Sequence, residues 1–291
     1  MKNLIALIIV SIVCHAVSAE AALYGLARRA APVLNTPEFS SVFGGADGKT
    51  LRTDRCGQVR ELEFIALPGT VFEILGTIRD GENSVFRVET TDYPVPSGSM
   101  LYLDSRFVEL HRERPPPRPG VLPPRAVILT SLKAAIGIPY VWGGNLQGGV
   151  NELRDFYFGR TVSDTLEKPL ILGGLDCSGL LYQATGGWTP RNTSGLVSFG
   201  TAVRIAGRNA DEIAILLEPL DLIVWNGHVL IVLDRETVIE SRLLCGKPGN
   251  GGVVTTPLKQ RLGEIMRTRR PVDPWPGEKK QRGVFVVRRW G

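Results

Sequence analysis

Apolar positions follow two regimes along the 291-residue chain. From about 23 to 111 they come in short runs: Val33–Leu34, Val59–Ala66, Thr70–Leu75, Val85–Thr91, Met100–Leu103 and Phe107–Leu110. Turn signals separate them at Gly44-Gly45, Pro68-Gly69, Asp80-Gly81 and Pro96–Gly98. Strands this short and closely spaced predict a small all-β barrel. After about 126 the period lengthens. Ala126–Ile136 has helical spacing, and so does the stretch that follows Cys177, with Leu180, Leu181 and Ala184 on one face. Apolar strands then succeed one another at Leu220–Trp225, His228–Asp234 and Thr237–Arg242, followed by a helix at Leu258–Arg267 and a strand at Gly283–Arg289. Helices first and antiparallel strands after predict an α+β domain. Between the regimes, RERPPPRPGVLPPR (112–125) holds six prolines and reads as an extended linker.

The first nineteen residues stand apart. A short positive start, Met1-Lys2-Asn3, precedes the apolar run Leu4–Val13, and Ala16-Val17-Ser18-Ala19 ends in a small-x-small pattern. This predicts a signal peptide over 1–19, cleaved after Ala19, and an exported protein of the periplasm or cell envelope. Val13 and His15 fit lipid attachment at Cys14 poorly, so a soluble exported protein is expected. No later segment has the length and apolarity of a membrane span. The chain carries a net charge of +5, which suits an anionic partner. No basic stripe interleaved with aromatics appears, so nucleic acid is not expected. Once Cys14 has left, Cys56, Cys177 and Cys245 remain. An odd count means a free thiol or an intermolecular bridge, and one economical solution pairs Cys56 with Cys245.

Cys177 sits where a helix begins, in Asp176-Cys177-Ser178-Gly179. Unpaired N–H groups and the positive dipole end at a helix start favour a thiolate nucleophile. The competing reading is a small buried cysteine in an amphipathic helix. A catalytic thiol needs a base and a group that orients the base. His111 lies at the linker edge and reads as solvated, whereas His228 opens an apolar strand. If the turn after that strand centres on Asp234, His228 and Glu240 lie directly opposite on one sheet face. A carboxylate facing an imidazole fixes its tautomer and stabilises imidazolium. Cysteine, histidine and glutamate then make a papain-style set whose third member is acidic.

The segments GIPYVWGGN, LDCSGLLYQA, TPRNTSGL and LDLIVWNGHVLIVLDRETVIES, in this order, resemble the NlpC-type family of bacterial cell-wall cysteine peptidases across about 126–242. SMLYLDSRFVEL and APVLNTP resemble, more loosely, the bacterial SH3-like barrels attached to wall enzymes. The resemblance implies a papain-like catalytic domain over 126–291, behind an SH3-like barrel over 20–111 and the linker. It places Cys177 as nucleophile, His228 as base and Glu240 as the polar third residue, where the family more often has His, Asn or Gln. The acid should raise the His228 pKa. Tyr140 falls on a tyrosine that assists substrate or oxyanion stabilisation, and the Cys177 amide is a natural oxyanion donor. Asp176 and Ser178 fall where a free L-alanine amine can be held, although Asp176 also reads as a helix cap. Arg191 matches a loop bordering the cleft and reads either as a substrate contact or as a solvated arginine. Segment 145–172 is longer than the family spacer and reads as a surface insertion beside the cleft.

Other patterns carry little. Trp142 reads as packing, and Arg267–Arg270 and Arg288-Arg289 as solvated charge. The glycine pairs lack a phosphate-binding motif, and no Cys/His cluster has metal spacing, so neither metal nor cofactor is expected. The implied activity is hydrolysis of peptidoglycan stem peptides, between γ-D-glutamate and diaminopimelate, by a monomer. A wall-binding protein with a vestigial site and an amidase or acyltransferase are the alternatives.

Overall fold

A computed structural model describes residues 22–45, 47, 49–95, 98–158, 167–247, 250–277 and 281–290. The expected signal peptide lies outside the described residues. The first regime folds as β1 (Leu23–Ala27), β2 (Ala31–Leu34), α1 (Phe39–Gly44), β3 (Leu62–Ala66), β4 (Val71–Asp80), β5 (Asn83–Glu89), β6 (Leu101–Asp104) and β7 (Val108–His111). The strands pair in the order β3-β2-β6-β5-β4-β1-β7, all antiparallel. This is a seven-stranded path, and among the described residues no pairing of β3 with β7 closes it into a barrel. Val33, Phe64, Phe72 and Phe107 face its interior, covered by Phe39 and Phe43 of α1.

The second regime contains α2 (Arg125–Ala134), β8 (Asn145–Leu146), α3 (Glu167–Leu170), β9 (Gly174–Leu175), α4 (Cys177–Ala184), α5 (Thr193–Leu196), β10 (Thr201–Ala202) and α6 (Ala210–Leu216). It continues with β11 (Leu222–Trp225), β12 (His228–Val232), β13 (Thr237–Leu243), β14 (Gly251–Pro257), α7 (Leu258–Met266), β15 (Arg270–Pro271) and β16 (Val284–Arg289). The central sheet runs β10-β16-β11-β12-β13-β14, with β15 added parallel to β16. Helices cover both faces, which explains why β11 and β12 read as unbroken apolar runs. Leu222, Val224, Val229 and Ile231 pack on α2 and α4. Ile223, Leu230, Val232 and Val238 pack on α6 and α7. The mixed helix and antiparallel-sheet architecture is as the pattern predicted.

Two sequence expectations in these regions need correction. The described residues of segment 145–172 are not a free surface insertion; residues 159–166 lie outside the described residues. Val150, Leu153, Phe158, Leu170 and Leu172 enter the core of the first sheet. The π-helical turn Arg154–Phe158 docks there, with Tyr157 against Phe43, Phe156 edge-on to Phe107, and the Arg106 guanidinium over Phe156. The linker is tied to the second part of the chain, where Arg118 donates to Gly186 O at 2.7 Å and to Gly187 O at 3.2 Å. Arg288 and Arg289 are not merely solvated. Arg288 is buried and donates to the carbonyls of Ser198, Phe199 and Gly200, while Arg289 forks onto Asp221. Each arginine satisfies carbonyls or a carboxylate that the fold would otherwise strand, a demand that local periodicity cannot reveal.

Cys56 and Cys245 form a disulfide, with Cα atoms 5.0 Å apart, and Cys177 is the free cysteine among the described residues. Among the described residues no helix is long and apolar enough to cross a membrane.

Candidate active site

The nucleophile candidate sits at the first position of α4. Asp176 caps the helix, its Oδ1 accepting from the Gly179 amide at 2.6 Å. Gly179 allows α4 to press on the backbone just before β8, for a Cβ there would meet the Gly144 carbonyl oxygen at 2.0 Å. Cys177 is buried, and its Sγ lies 4.0 Å from the carbonyl oxygen of Gly227. Gly227 is the turn residue between β11 and β12, at a φ of +98° that favours glycine, and its amide donates to Thr193 Oγ1 at 2.9 Å. The next residue is His228.

Glu240 is not directly opposite His228. The hairpin pairs Ile231 with Ile239 and Val232 with Val238, so Glu240 lies diagonal to His228, two residues from the predicted register. The slip is even, so both side chains keep one face, and diagonal neighbours remain within reach of long side chains. His228 Nε2 and Glu240 Oε2 are 2.6 Å apart. The other ring nitrogen, Nδ1, is left for the hydrogen bond with Cys177. Burial alone would lower the His228 pKa, but the hydrogen bonds and negative charges of Cys177 and Glu240 outweigh it and lift the value to about 9. Burial alone would raise Glu240, but hydrogen bonds from His228 and Arg261 outweigh it and hold the value at about 2.

Arg261 projects from α7 onto Glu240, with Nε 2.7 Å from Oε1 and Nη2 3.0 Å from Oε2. Sequence reading missed it. The signal was there, since Leu258, Leu262 and Ile265 form the buried stripe of α7 and Arg261 falls within that stripe at i+3.

Arg191 is not solvated. It is 2% exposed and braces the start of α4. Nη1 donates to Asp176 Oδ1 at 3.0 Å and to Ser178 Oγ at 2.9 Å, and Nη2 to Asp176 Oδ2 at 2.6 Å. Its Nε donates to Asn145 Oδ1 at 3.0 Å. Asn145 in turn exchanges two 2.9 Å hydrogen bonds with the backbone of Ile65 in β3, in the manner of a strand neighbour. One fully buried amide therefore joins the first sheet to the arginine that holds the nucleophile's helix. Nothing in the local pattern around Asn145 announced this, because its partner lies eighty residues away.

A pocket of about 120 Å³ opens beside Cys177, lined by Tyr140, Trp142, Asp176, Ser178, Asn192 and Gly227, and closed by Glu63 and Tyr93 from the first part of the chain. Trp142, read as packing, is 39% exposed at this pocket, with the Arg60 guanidinium over its ring. Burial and the charges of Asp176 and Cys177 push the Tyr140 hydroxyl far above the usual tyrosine range, so it stays a proton donor. Glu63 accepts from Tyr93 Oη at 2.7 Å and from Asn35 Nδ2 at 2.8 Å, neither of them a cation. Asp176, by contrast, has its charge answered by Arg191. The negative charge open to a ligand is therefore that of Glu63, a residue sequence reading did not single out. A larger apolar cavity of about 450 Å³ shares Tyr140 but is lined mainly by residues such as Leu51, Val59, Pro139 and Leu170, with no base or thiol.

No protein-family description matches the chain, and no curated protein matches it. Solved structures similar to it include two NlpC/P60 proteins. An NlpC/P60 family protein from Bacillus cereus is 16% identical with a TM-score of 0.32, and the match covers 92% of this chain and 63% of that one. RipD from Mycobacterium tuberculosis, a non-catalytic NlpC/p60 domain protein adapted to peptidoglycan binding, is 19% identical with a TM-score of 0.29, covering 46% of this chain and 92% of that one. The chain thus spans less than two thirds of the length of the first. Both scores are low, and neither likeness bears on what the site does.

Proposed function

We propose that the chain is a cysteine peptidase that hydrolyses peptidoglycan stem peptides at the γ-D-glutamyl–diaminopimelate bond. The observation that carries this reading is the Cys177–His228–Glu240 set, whose Cys177 lines a small pocket with the Glu63 carboxylate as its open charge. The sequence resemblance supplies the bond.

In this mechanism Cys177 Sγ, its proton held on His228 Nδ1, attacks the amide carbon. The carbonyl oxygen takes up negative charge, met by the Cys177 amide at the start of α4 and by the Tyr140 hydroxyl. His228 gives its proton to the departing amine, and the C–N bond breaks to leave a thioester. Water then loses a proton to His228 and attacks the thioester; the C–S bond breaks, the acid leaves, and the freed thiolate beside the newly protonated His228 restores the starting pair. Glu240 stays ionised throughout and holds Nε2.

The pocket also bears on which peptides enter. At about 120 Å³ it has room for a residue the size of alanine. A terminal ammonium would sit against Glu63, whereas an amide nitrogen carrying a sugar would meet the wall of Glu63 and Tyr93. Short stem peptides with a free amine are therefore the preferred substrates.

The decisive experiment offers the protein intact sacculi and, separately, L-Ala-γ-D-Glu-diaminopimelate, with mass analysis of both. The expected result is release of diaminopimelate from the free tripeptide and far less from sacculi, with Cys177→Ala abolishing both. Full activity in Cys177→Ala would sink the mechanism. No cleavage, together with iodoacetamide labelling of Cys177 no faster than an ordinary thiol, would make the site a vestige and the protein a binder.

A further inference from the structure

We propose that Arg261 is a positioning residue that sets the pH range over which His228 keeps its second proton, by sharing the charge of Glu240. This rests on reading Cys177 and His228 as a working thiol–imidazole pair.

The argument begins with how few partners a buried carboxylate has. The Glu240 side chain is 1% exposed, so protein groups must answer its charge. A carboxylate out of water with an imidazole as sole partner would bind that imidazole strongly in its charged form. Glu240 has more than one partner. Its Oε2 lies 2.6 Å from His228 Nε2 and 3.0 Å from Arg261 Nη2, so a single oxygen answers two positive groups. Oε1 takes Arg261 Nε at 2.7 Å, and Arg242 Nη1 stands 3.7 Å away. Arg261 is itself fixed by Glu264, whose Oε2 accepts from Nη1 at 3.0 Å.

The groups around His228 come from every side of the site. Cys177 faces it from α4, Glu240 from β13 and the Trp225 ring from β11, with ring centroids 5.3 Å apart. The Arg269 guanidinium lies over the Trp225 ring, 4.6 Å from its centre. Arg261 reaches His228 only through Glu240, which makes it a positioning group rather than a catalytic one.

Acyl transfer uses both forms of the imidazole. The charged form protonates the leaving amine, and the neutral form takes a proton from water in the second half. A Glu240 of undivided charge would favour the first form at the expense of the second. The Arg261 fork keeps Glu240 as an acceptor for Nε2 while bringing its field towards that of a neutral amide.

The test is a titration of His228 by NMR in protein labelled with 13C at histidine, the signal being assigned by its loss in His228→Ala. Arg261→Met should move the His228 midpoint upward by about half a pH unit or more, and Arg261→Lys, which keeps the charge, should move it less than that. The acyl-enzyme should also persist longer at neutral pH. A merely structural arginine would lower thermal stability without shifting the midpoint. An unchanged or lowered midpoint in folded Arg261→Met overturns the proposal. Should that variant not fold, Arg261→Gln carries the same expectation and the same overturning result. Failure of the underlying reading is distinguishable, because wild-type Cys177 would then react with iodoacetamide at the rate of an ordinary thiol.

Discussion

At the scale of residues, the site is a set of charges that answer one another in pairs. His228 and Glu240 form one pair, and their shifts fix how stability depends on pH. The folded His228 value of about 9 lies above its ordinary 6.5. Its contribution is therefore complete below 6.5 and fades as pH rises through about 9. The folded Glu240 value of about 2 lies below its ordinary 4.5, so its contribution is complete above 4.5 and fades as pH falls towards about 2. Denaturant unfolding across pH should therefore show a falling alkaline limb that Cys177→Ala or Glu240→Gln weakens. An alkaline limb of the same size in both variants would mean that other groups carry it. Glu240→Gln should also slow hydrolysis less than His228→Ala, since an amide can still hold Nε2. Arg191 and Asp176 form the second pair. Arg191→Met leaves the Asp176 carboxylate buried and unanswered, and should destabilise the fold by about 3–5 kcal/mol in a denaturant melt.

At the scale of elements, the hairpin and helix that carry Cys177, His228 and Glu240 were legible because each rests on local pattern. An apolar run opening with histidine, a polar turn and a lone carboxylate among Val238 and Ile239 are visible within a few residues. The register was off by two, since the turn centres one residue later than Asp234. That error cost nothing for the site, because an even slip keeps the face. β1, α1 and β14 were not predicted. β14, in particular, begins with Gly251-Gly252 and reads as a loop until its seven-residue pairing with β13 is known. Residues whose role is defined by a distant partner were also illegible. Glu63 and Asn145 each act across twenty or more positions, whereas Arg261 was marked by its place in the buried stripe of α7. Helix α4 offers a test at this scale. Gly179→Ala forces a Cβ against backbone, which cannot yield as a flexible side chain would. It should cost roughly 1–3 kcal/mol by calorimetry and slow Cys177 alkylation as α4 moves off Gly144.

At the scale of the whole molecule, the two regimes of the sequence are not beads on a string. The first sheet receives the Arg154–Phe158 turn into its core, lends Ile65 to Asn145 and supplies Glu63 to the pocket. Next to these contacts stands the disulfide. It joins residues 189 apart, tying the loop before β3 to the turn after β13. In the chain-entropy picture, closing a loop of that length stabilises by about 5 kcal/mol at most. The double variant Cys56→Ser/Cys245→Ser should accordingly unfold more easily by up to that amount. It should raise KM more than it lowers kcat, because the Glu63 wall loosens while Cys177 and His228 remain on their own sheet and helix. A fall in kcat with an unchanged KM would show that the disulfide serves the chemistry and not the wall.

The same bond changes what a break in the chain means. A protease that cuts the proline-rich stretch, or any exposed point from Gly57 to Leu244, severs one connection out of two. The pieces stay joined through sulfur, and on a gel run without reductant the nicked protein keeps its full mass. Only reductant would let the halves part. Cleavage of the linker and separation of the first sheet from the site are thus separate events, and the linker could be lost with the pocket still walled.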